Sequence, residues 1–366
     1  MDQLALDRWH MARALELARR GQGAVEPNPM VGCIVARGAE LLGEGWHRRY
    51  GGPHAEIEAL ALARERARGA TLYVTLEPCC HQGKTPPCTD AILKSGVRRV
   101  VAAMRDPFPA VDGGGFAQLQ AAGVEVVSGV LEAEAEALNE PYLWLLSTAR
   151  PWVIAKWAMT LDGKIATEAG DSRWISNECS RAIVHELRGR MDAILVGRGT
   201  VEHDDPLLTA RPEGPRRATR VVLDSLAQIA TSSQLVHTAR DWPVLIAVSE
   251  SAPSERRDLL RSHGCEVLFC QGDSHFERLD SLLAEMGRRR WTNVLIEGGA
   301  KLLGEAFHYD LINEVHAFIA PKLVGGEAAP SAIAGVGIPN MSAAHSFRDA
   351  HIQVLDGDVY VSGRLR

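Results

Sequence analysis

The 366-residue sequence contains no uninterrupted apolar run of the roughly 18 residues needed to cross a bilayer. Its start carries Asp7, Arg8 and Arg13 instead of a signal-peptide core. A cytoplasmic protein with no membrane partner is therefore expected. Positive charge is not in surplus either: 40 Lys and Arg stand against 46 Asp and Glu, a net charge of −6. Such a balance gives little long-range attraction to a polyanion, so no nucleic-acid partner is expected. Cysteine is scarce and odd in number, seven in all. That count argues against a disulfide framework and directs attention to metal binding or catalysis. Internal repeats and low-complexity segments are absent as well, so the two halves of the chain read as different domains.

What is present is ordinary for a folded chain, with 46% hydrophobic and 23% charged residues. At roughly 150 residues per domain, the length predicts two domains. Apolar spacing predicts helices at 4–20, 55–66, 89–95, 116–121 and 131–139, and strands at 31–36, 71–75, 99–104 and 124–127. An apolar stretch then runs to Leu146, and Ser147-Thr148-Ala149-Arg150-Pro151 marks a boundary, giving domains at 1–147 and 151–366. The second half alternates again, with strands at 152–158, 193–196, 220–223, 244–248, 266–269 and 293–296. Strand-like 314–323 and 352–363 follow without a long helix between them. The pattern implies α/β domains, the second holding a mostly parallel sheet finished by antiparallel strands.

Three cysteines share one short stretch. His54-Ala55-Glu56 is followed, after a strand-like run, by Glu77-Pro78-Cys79-Cys80-His81 and Pro86-Pro87-Cys88. One imidazole and two thiolates suit Zn²⁺ and leave a fourth position open, as a catalytic zinc requires. Two thiolates blunt the metal's acidifying effect on water, so a nearby base such as Glu56 is useful for moving protons. The alternative is a structural zinc closed by Cys80 or His81. Cys33, Cys179, Cys265 and Cys270 are scattered and expected to be small buried hydrophobes.

The ligand set with its non-ligating Glu resembles the zinc nucleobase deaminases, except that eight residues separate Cys79 from Cys88 where two are usual. With Pro27-Asn28-Pro29-Met30-Val31-Gly32, Gly43-Glu44-Gly45-Trp46-His47, Tyr73-Val74-Thr75-Leu76-Glu77-Pro78-Cys79 and Gly83-Lys84-Thr85-Pro86-Pro87-Cys88, the first half resembles the deaminase half of bifunctional riboflavin-biosynthesis deaminase/reductases. The resemblance implies a cytidine-deaminase-like domain in which His54, Cys79 and Cys88 hold Zn²⁺ and Glu56 carries protons. Asn28, His47, His81 and Lys84 would contact the pyrimidine or its ribosyl phosphate.

The second half resembles the reductase half of the same enzymes, itself similar to dihydrofolate reductase in fold. The likeness is carried by Lys156-Trp157-Ala158-Met159-Thr160-Leu161-Asp162-Gly163-Lys164-Ile165-Ala166, Gly170-Asp171-Ser172-Arg173-Trp174-Ile175-Ser176, Ile194-Leu195-Val196-Gly197-Arg198-Gly199-Thr200 and Asp204-Asp205-Pro206-Leu207-Leu208-Thr209-Ala210-Arg211. A Gly-Gly turn after the strand at 293–296 opens a helix, where free backbone N–H groups favour a phosphate. By the resemblance, Ala158, Trp174, Thr200, Asp204, Ser225, Gly298, Gly299, Ala300, Lys301, Leu302, Leu303, Gly304 and Glu305 bind NADPH. Lys156, Ser172, Arg188, Leu208, Arg211 and Glu297 face the substrate, with Arg188 and Arg211 gripping its phosphate. Lys156 and Asp204 are the candidates for protonating the opening sugar. One departure concerns the cofactor: where the family often has an arginine after the strand at 220–223, this chain reads Ser225-Leu226-Ala227-Gln228-Ile229-Ala230.

The expected function is two consecutive steps of riboflavin synthesis by a homo-oligomer acting on a phosphorylated pyrimidine. The alternatives are a zinc deaminase acting on a base in RNA, and a non-catalytic zinc- and nucleotide-binding protein.

Overall fold

The computed structural model describes residues 2–83 and 86–365. The chain forms two compact units, Met1–Thr148 and Ala149–Arg366. Among the described residues no helix is long and apolar enough to cross a membrane.

The first unit runs α1 (Gln3–Arg19), β1 (Gly32–Arg37), β2 (Glu40–Trp46), α2 (Ala55–Ala63), β3 (Thr71–Val74), α3 (Cys88–Ser95), β4 (Arg99–Ala102), α4 (Gly114–Ala121), β5 (Glu125–Val127), α5 (Glu132–Leu138) and α6 (Glu140–Thr148). Its sheet has the order β2-β1-β3-β4-β5, antiparallel through β3 and parallel beyond it. Apolar clusters lie on both sheet faces: Cys33, Val35, Leu72 and Val74 alternate along the strands with Ile34, Ala36 and Tyr73. Asp7 of α1 is buried, accepts from Tyr73 Oη and takes both arms of the Arg99 guanidinium at 2.7 and 2.8 Å, joining α1 to β3 and β4.

Two elements of the first unit differ from expectation. Strand β2 is absent from the sequence reading because Gly43 and Gly45 break its apolar alternation. The glycines are there because α2 lies on them: a Cβ at Gly43 would come within 2.2 Å of Ala59 O, and one at Gly45 within 2.6 Å of Ala55 O. The apolar stretch before the boundary is helix α6, whose Pro141 sits in the first turn, where a missing N–H costs nothing.

The second unit runs β6 (Trp152–Thr160), α7 (Glu178–Arg188), β7 (Ala193–Gly197), α8 (Arg198–Asp204), β8 (Thr219–Leu223), α9 (Gln234–His237), β9 (Val244–Val248), α10 (Ser254–Ser262), β10 (Glu266–Phe269), α11 (His275–Arg288), β11 (Asn293–Glu297), α12 (Ala300–His308), β12 (Glu314–Ala320), β13 (His351–Leu355) and β14 (Asp358–Arg364). Its sheet order is β10-β9-β8-β7-β11-β6-β12-β14-β13, parallel as far as β12 and antiparallel over the last two strands. The stretch expected as one strand at 352–363 is a hairpin, turned at Asp356 and Gly357 with φ of 48° and 94°. An Asp-Gly pair between apolar runs is a hairpin signal that could have been read.

Cys33, Cys265 and Cys270 are buried as expected, whereas Cys179 is exposed. It stands in the first turn of α7, whose buried residues are Ser180, Val184 and Leu187, so helical periodicity turns it outward.

Because α2 carries two of the expected site residues, its seat on β2 is testable. Gly43→Ala should destabilise the first unit by about 1–3 kcal/mol in urea denaturation and lower its metal content. Unchanged values for both would show that the helix can retreat without consequence.

Candidate active sites

The first site is assembled at helix starts. His54 is the N-cap of α2, Glu56 lies in that helix's first turn, and Cys88 is the first residue of α3. Cys79 reaches the same point from the segment after β3, held by Thr89 N donating to its carbonyl at 3.2 Å and Cys88 N donating to its sulfur at 3.3 Å. His54 Nδ1 lies 3.1 Å from Cys88 Sγ and 3.6 Å from Cys79 Sγ, and all three donor atoms fall within 4.8 Å of one another. Zn–S bonds of about 2.3 Å and Zn–N bonds of about 2.0 Å in a tetrahedron need donor separations of about 3.5–3.8 Å, so the set fits zinc. The neighbouring Cys88 and His54 push the Cys79 thiol well below its ordinary range, which favours the thiolate a metal needs. Neither Cys80 nor His81 joins the cluster among the described residues. Cys80 donates instead to Ala110 O at 3.8 Å.

Glu56 is 3% exposed, and burial pushes its carboxyl up. A carboxyl so placed beside the ligands can hold and release a proton. His47 stands with its ring 5.4 Å from that of His54. Burial pushes His47 down, favouring the neutral ring; Nδ1 lies 2.9 Å from Pro53 O, which can only accept, and in the neutral ring that leaves Nε2 to accept from Asn28 Nδ2 at 3.4 Å. Asn28 and His47 therefore form one wall with the metal ligand. His81 Nδ1 is buried without a hydrogen-bond partner among the described residues, and its ring lies 5.9 Å from Phe108. Lys84 lies outside the described residues.

A residue missed in the sequence is Glu77. Its buried carboxylate accepts from the backbone N–H groups of Asp106, Gly113 and Phe116 at 3.3, 3.0 and 3.1 Å. It ties the Cys79 segment to the start of α4, where Gly115 admits Pro78 O so closely that a Cβ would stand 2.1 Å from it. A Glu beside a Pro-Cys motif carries no sequence signal of that role.

In the second unit the strand register sets Glu297, Lys156 and His316 side by side across β11, β6 and β12. Glu297 is buried, accepts from Arg188 Nε and Nη2 at 2.6 and 2.7 Å, and lies 3.8 Å from Lys156 Nζ. Burial alone would raise Glu297, but Arg188 and Lys156 hold it down as a carboxylate. Burial pushes Lys156 down, against the pull of Glu297. The Arg188 fork expected on a substrate phosphate is thus filled by Glu297, with Nη1 donating to Thr209 O at 3.3 Å. A carboxylate this deep needs a bidentate partner, and α7 supplies it. Arg211 is exposed and has no hydrogen-bonded partner among the described residues. Burial and then Arg188 hold the His185 imidazole down, and Arg211 adds to them.

Ser172 Oγ donates to Asp204 Oδ1 at 2.8 Å, so a residue expected at the substrate and one expected at the cofactor meet. Arg173 donates to Asp204 O, and Trp174 is 64% exposed with the Arg181 guanidinium 4.7 Å from its ring. The Gly-Gly turn has φ of 77° at Gly298 and 82° at Gly299, which glycine adopts without strain. Thr200 Oγ1 lies 3.2 Å from where a Cβ on Gly299 would stand. Gly298, Gly299, Ala300 and Glu305 are half-buried and Lys301 is exposed, but the rest of the expected run faces inward. Leu302 and Leu303 belong to the core, and a Cβ on Gly304 would meet Ala334 O at 1.7 Å. Their side chains thus pack inside, and what this part of the run can offer a ligand in front of the turn is backbone N–H at the helix start. Leu208, too, is 3% exposed, so its side chain packs inside, while Ala158 is half-buried beside Phe318 and Tyr360. Ser225 is half-buried just past β8, its carbonyl accepting from Ser249 N at 2.9 Å.

Residues 151–361 match the RibD C-terminal domain family, and residues 4–104 match the cytidine and deoxycytidylate deaminase zinc-binding region. The riboflavin biosynthesis protein RibD of Actinobacillus pleuropneumoniae is 41% identical over 350 residues, covering 96% of this chain and 93% of that protein. The chain belongs to the RibD family. It is therefore a bifunctional deaminase/reductase of riboflavin biosynthesis, with a cytidine-deaminase-like first domain and a dihydrofolate-reductase-like second domain. Its deaminase region is zinc-binding, and its reductase domain implies a nicotinamide cofactor. The Escherichia coli K12 RibD protein is 38% identical, covering 88% of this chain and 89% of that one. Acinetobacter baumannii RibD superposes with a TM-score of 0.87 at 35% identity, each chain covered to 99%. A Thermotoga maritima diaminohydroxyphosphoribosylaminopyrimidine deaminase/5-amino-6-(5-phosphoribosylamino)uracil reductase does so with a TM-score of 0.86 at 37% identity and the same coverage. Family membership decides against the RNA-directed and non-catalytic alternatives.

Removal of one sulfur tests the metal set. Cys88→Ser should drop the zinc content of purified protein from about one per chain to a small fraction of that, measured by elemental analysis, because a hydroxyl is a poor zinc ligand. Retention of stoichiometric zinc would place the metal elsewhere.

Proposed function

We propose that residues 1–147 deaminate 2,5-diamino-6-ribosylamino-4(3H)-pyrimidinone 5′-phosphate and that residues 151–366 reduce the ribosyl group of the product to ribityl with NADPH. The observation that carries this is the convergence of His54, Cys79 and Cys88 around one point with the buried carboxyl of Glu56, in a chain that continues into a RibD C-terminal domain. His54, Cys79 and Cys88 would hold zinc, which supplies Lewis acidity toward water when bound. Glu56 moves protons between that water and the departing ammonia. Asn28, His47 and His81 line the pyrimidine side, and Lys84 is assigned to the phosphate by the family likeness alone.

In the reductase, NADPH supplies the hydride when bound, and the chain's own groups position the sugar and manage its proton. Gly298, Gly299, Ala300, Lys301, Glu305, Thr200, Trp174, Asp204, Ala158 and Ser225 are assigned to the cofactor. Ser172, Lys156 and Arg211 are assigned to the substrate. Arg188 acts through Glu297, whose carboxylate orients Lys156. A buried lysine with a lowered pKa gives up its proton more readily than an exposed one, which favours Lys156 over Asp204 as the proton source for the opening sugar. We further read the enzyme as cytoplasmic and homo-oligomeric. Its free cysteines suit a reducing compartment, and the edge strand β13 leaves Ile352 and Val354 in solvent, where a second copy would cover them.

Supplied with the diaminopyrimidinone phosphate, the protein should release ammonia and yield the deaminated intermediate alone, and the ribityl product when NADPH is added; product masses distinguish the two. Glu56→Gln should reduce deamination by at least about 100-fold with zinc retained, and full activity there would overturn the proton-carrier role. Arg211→Ala should raise the reductase KM for the phosphorylated substrate by about 10-fold or more. An unchanged KM would remove Arg211 from the site.

A further inference from the structure

The loop after β8 lacks the arginine often found there, yet the fold brings one to it from another strand. β7 and β8 are parallel with Gly197 opposite Leu223, so the residues that follow, Arg198 and Asp224, emerge side by side at the carboxyl edge of the sheet. That edge is where parallel α/β sheets receive ligands. On the other side of β7 lies β11, whose end leads into the Gly298–Gly299 turn, and Thr200 sits against Gly299. A dinucleotide with its pyrophosphate at that turn and Thr200 would extend across β7 toward Arg198 and Ser225.

Arg198 Nε lies 3.7 Å from Asp224 Oδ1, and Nη1 donates to Glu202 one helical turn on. The Arg198 side chain is 38% exposed, and its Nη2 has no partner among the described residues. Ser225 Oγ likewise has none. Asp224 would otherwise repel a phosphate, but it is turned inward: its side chain is 2% exposed and Oδ2 accepts from Ile229 N at 2.6 Å. The pair with Glu202 is an exposed contact one helical turn apart, so a phosphate can replace that carboxylate at little cost. Arg256 braces the loop from α10, donating to Ala227 O and Ile229 O at 2.9 and 2.8 Å, which holds Ser225 in place from behind.

We infer that Arg198, with the hydroxyl of Ser225, binds the adenosine 2′-phosphate of the cofactor and sets the preference for NADPH over NADH. The inference rests on the NADPH assignment above and names the residue that enforces it. A guanidinium suits this place because it can keep Asp224 with Nε while offering Nη2 to a phosphate oxygen.

The test uses the full zinc-loaded chain and two cofactor fragments, adenosine 2′,5′-bisphosphate and 5′-AMP, titrated by calorimetry. The parent should bind the bisphosphate more tightly. Arg198→Gln should weaken the bisphosphate about 10- to 100-fold while 5′-AMP changes little, and Arg198→Lys should keep part of the discrimination. The ratio of KM for NADPH to KM for NADH should move in parallel. A parent that does not distinguish the fragments would overturn the NADPH assignment itself. A parent that does, with a Gln variant that still does or that loses both fragments equally, would overturn only the role of Arg198.

Discussion

Helix α2 can deliver His54 and Glu56 to the two sulfurs only because it lies against β2 at a distance that excludes side chains at positions 43 and 45. Everything at the first site follows from that approach. With α2 fixed, its N-terminus and that of α3 face one point, and both helix dipoles favour the negative charge that thiolates bring there. The same closeness buries Glu56, and burial is what gives its carboxyl a raised affinity for a proton. The long spacing between Cys79 and Cys88 is accommodated because the Cys79 end is anchored independently, through Glu77 and the backbone at Gly115.

The second site is organised by a different cost, that of a buried carboxylate. Glu297 ends β11 inside the domain, and an unpaired charge there would be strongly destabilising. Arg188 and Lys156 pay that cost from α7 and β6. The arrangement commits the Arg188 fork to the protein, while Arg211 stays exposed.

Much of the fold was legible because apolar spacing reports burial directly. The parallel strands of the second unit, the Gly-Gly turn and the antiparallel finish all stand where the residues imply. What was not legible has physical reasons in particular residues. Gly43 and Gly45 disguise β2, since a strand that must admit a helix backbone gives up the side chains by which strands are recognised. The inward packing of Leu302, Leu303 and Gly304 was not legible either, because it depends on what the turn of the helix brings against the core.

That His54, Cys79 and Cys88 suit zinc with Glu56 nearby was readable in the sequence, because soft ligands beside a carboxylate answer a specific chemical need, and the family resemblance named the set; that Cys80 and His81 stand outside the cluster took the tertiary structure. The two-domain α/β organisation was legible for the same kind of reason, local periodicity. Partnership between distant residues was decided only by tertiary structure: Glu297 with Arg188, Asn28 with His47, Ser172 with Asp204, and Arg198 with the loop after β8. Strand order and helix packing choose those neighbours, and neither is written in the spacing of residues along the chain.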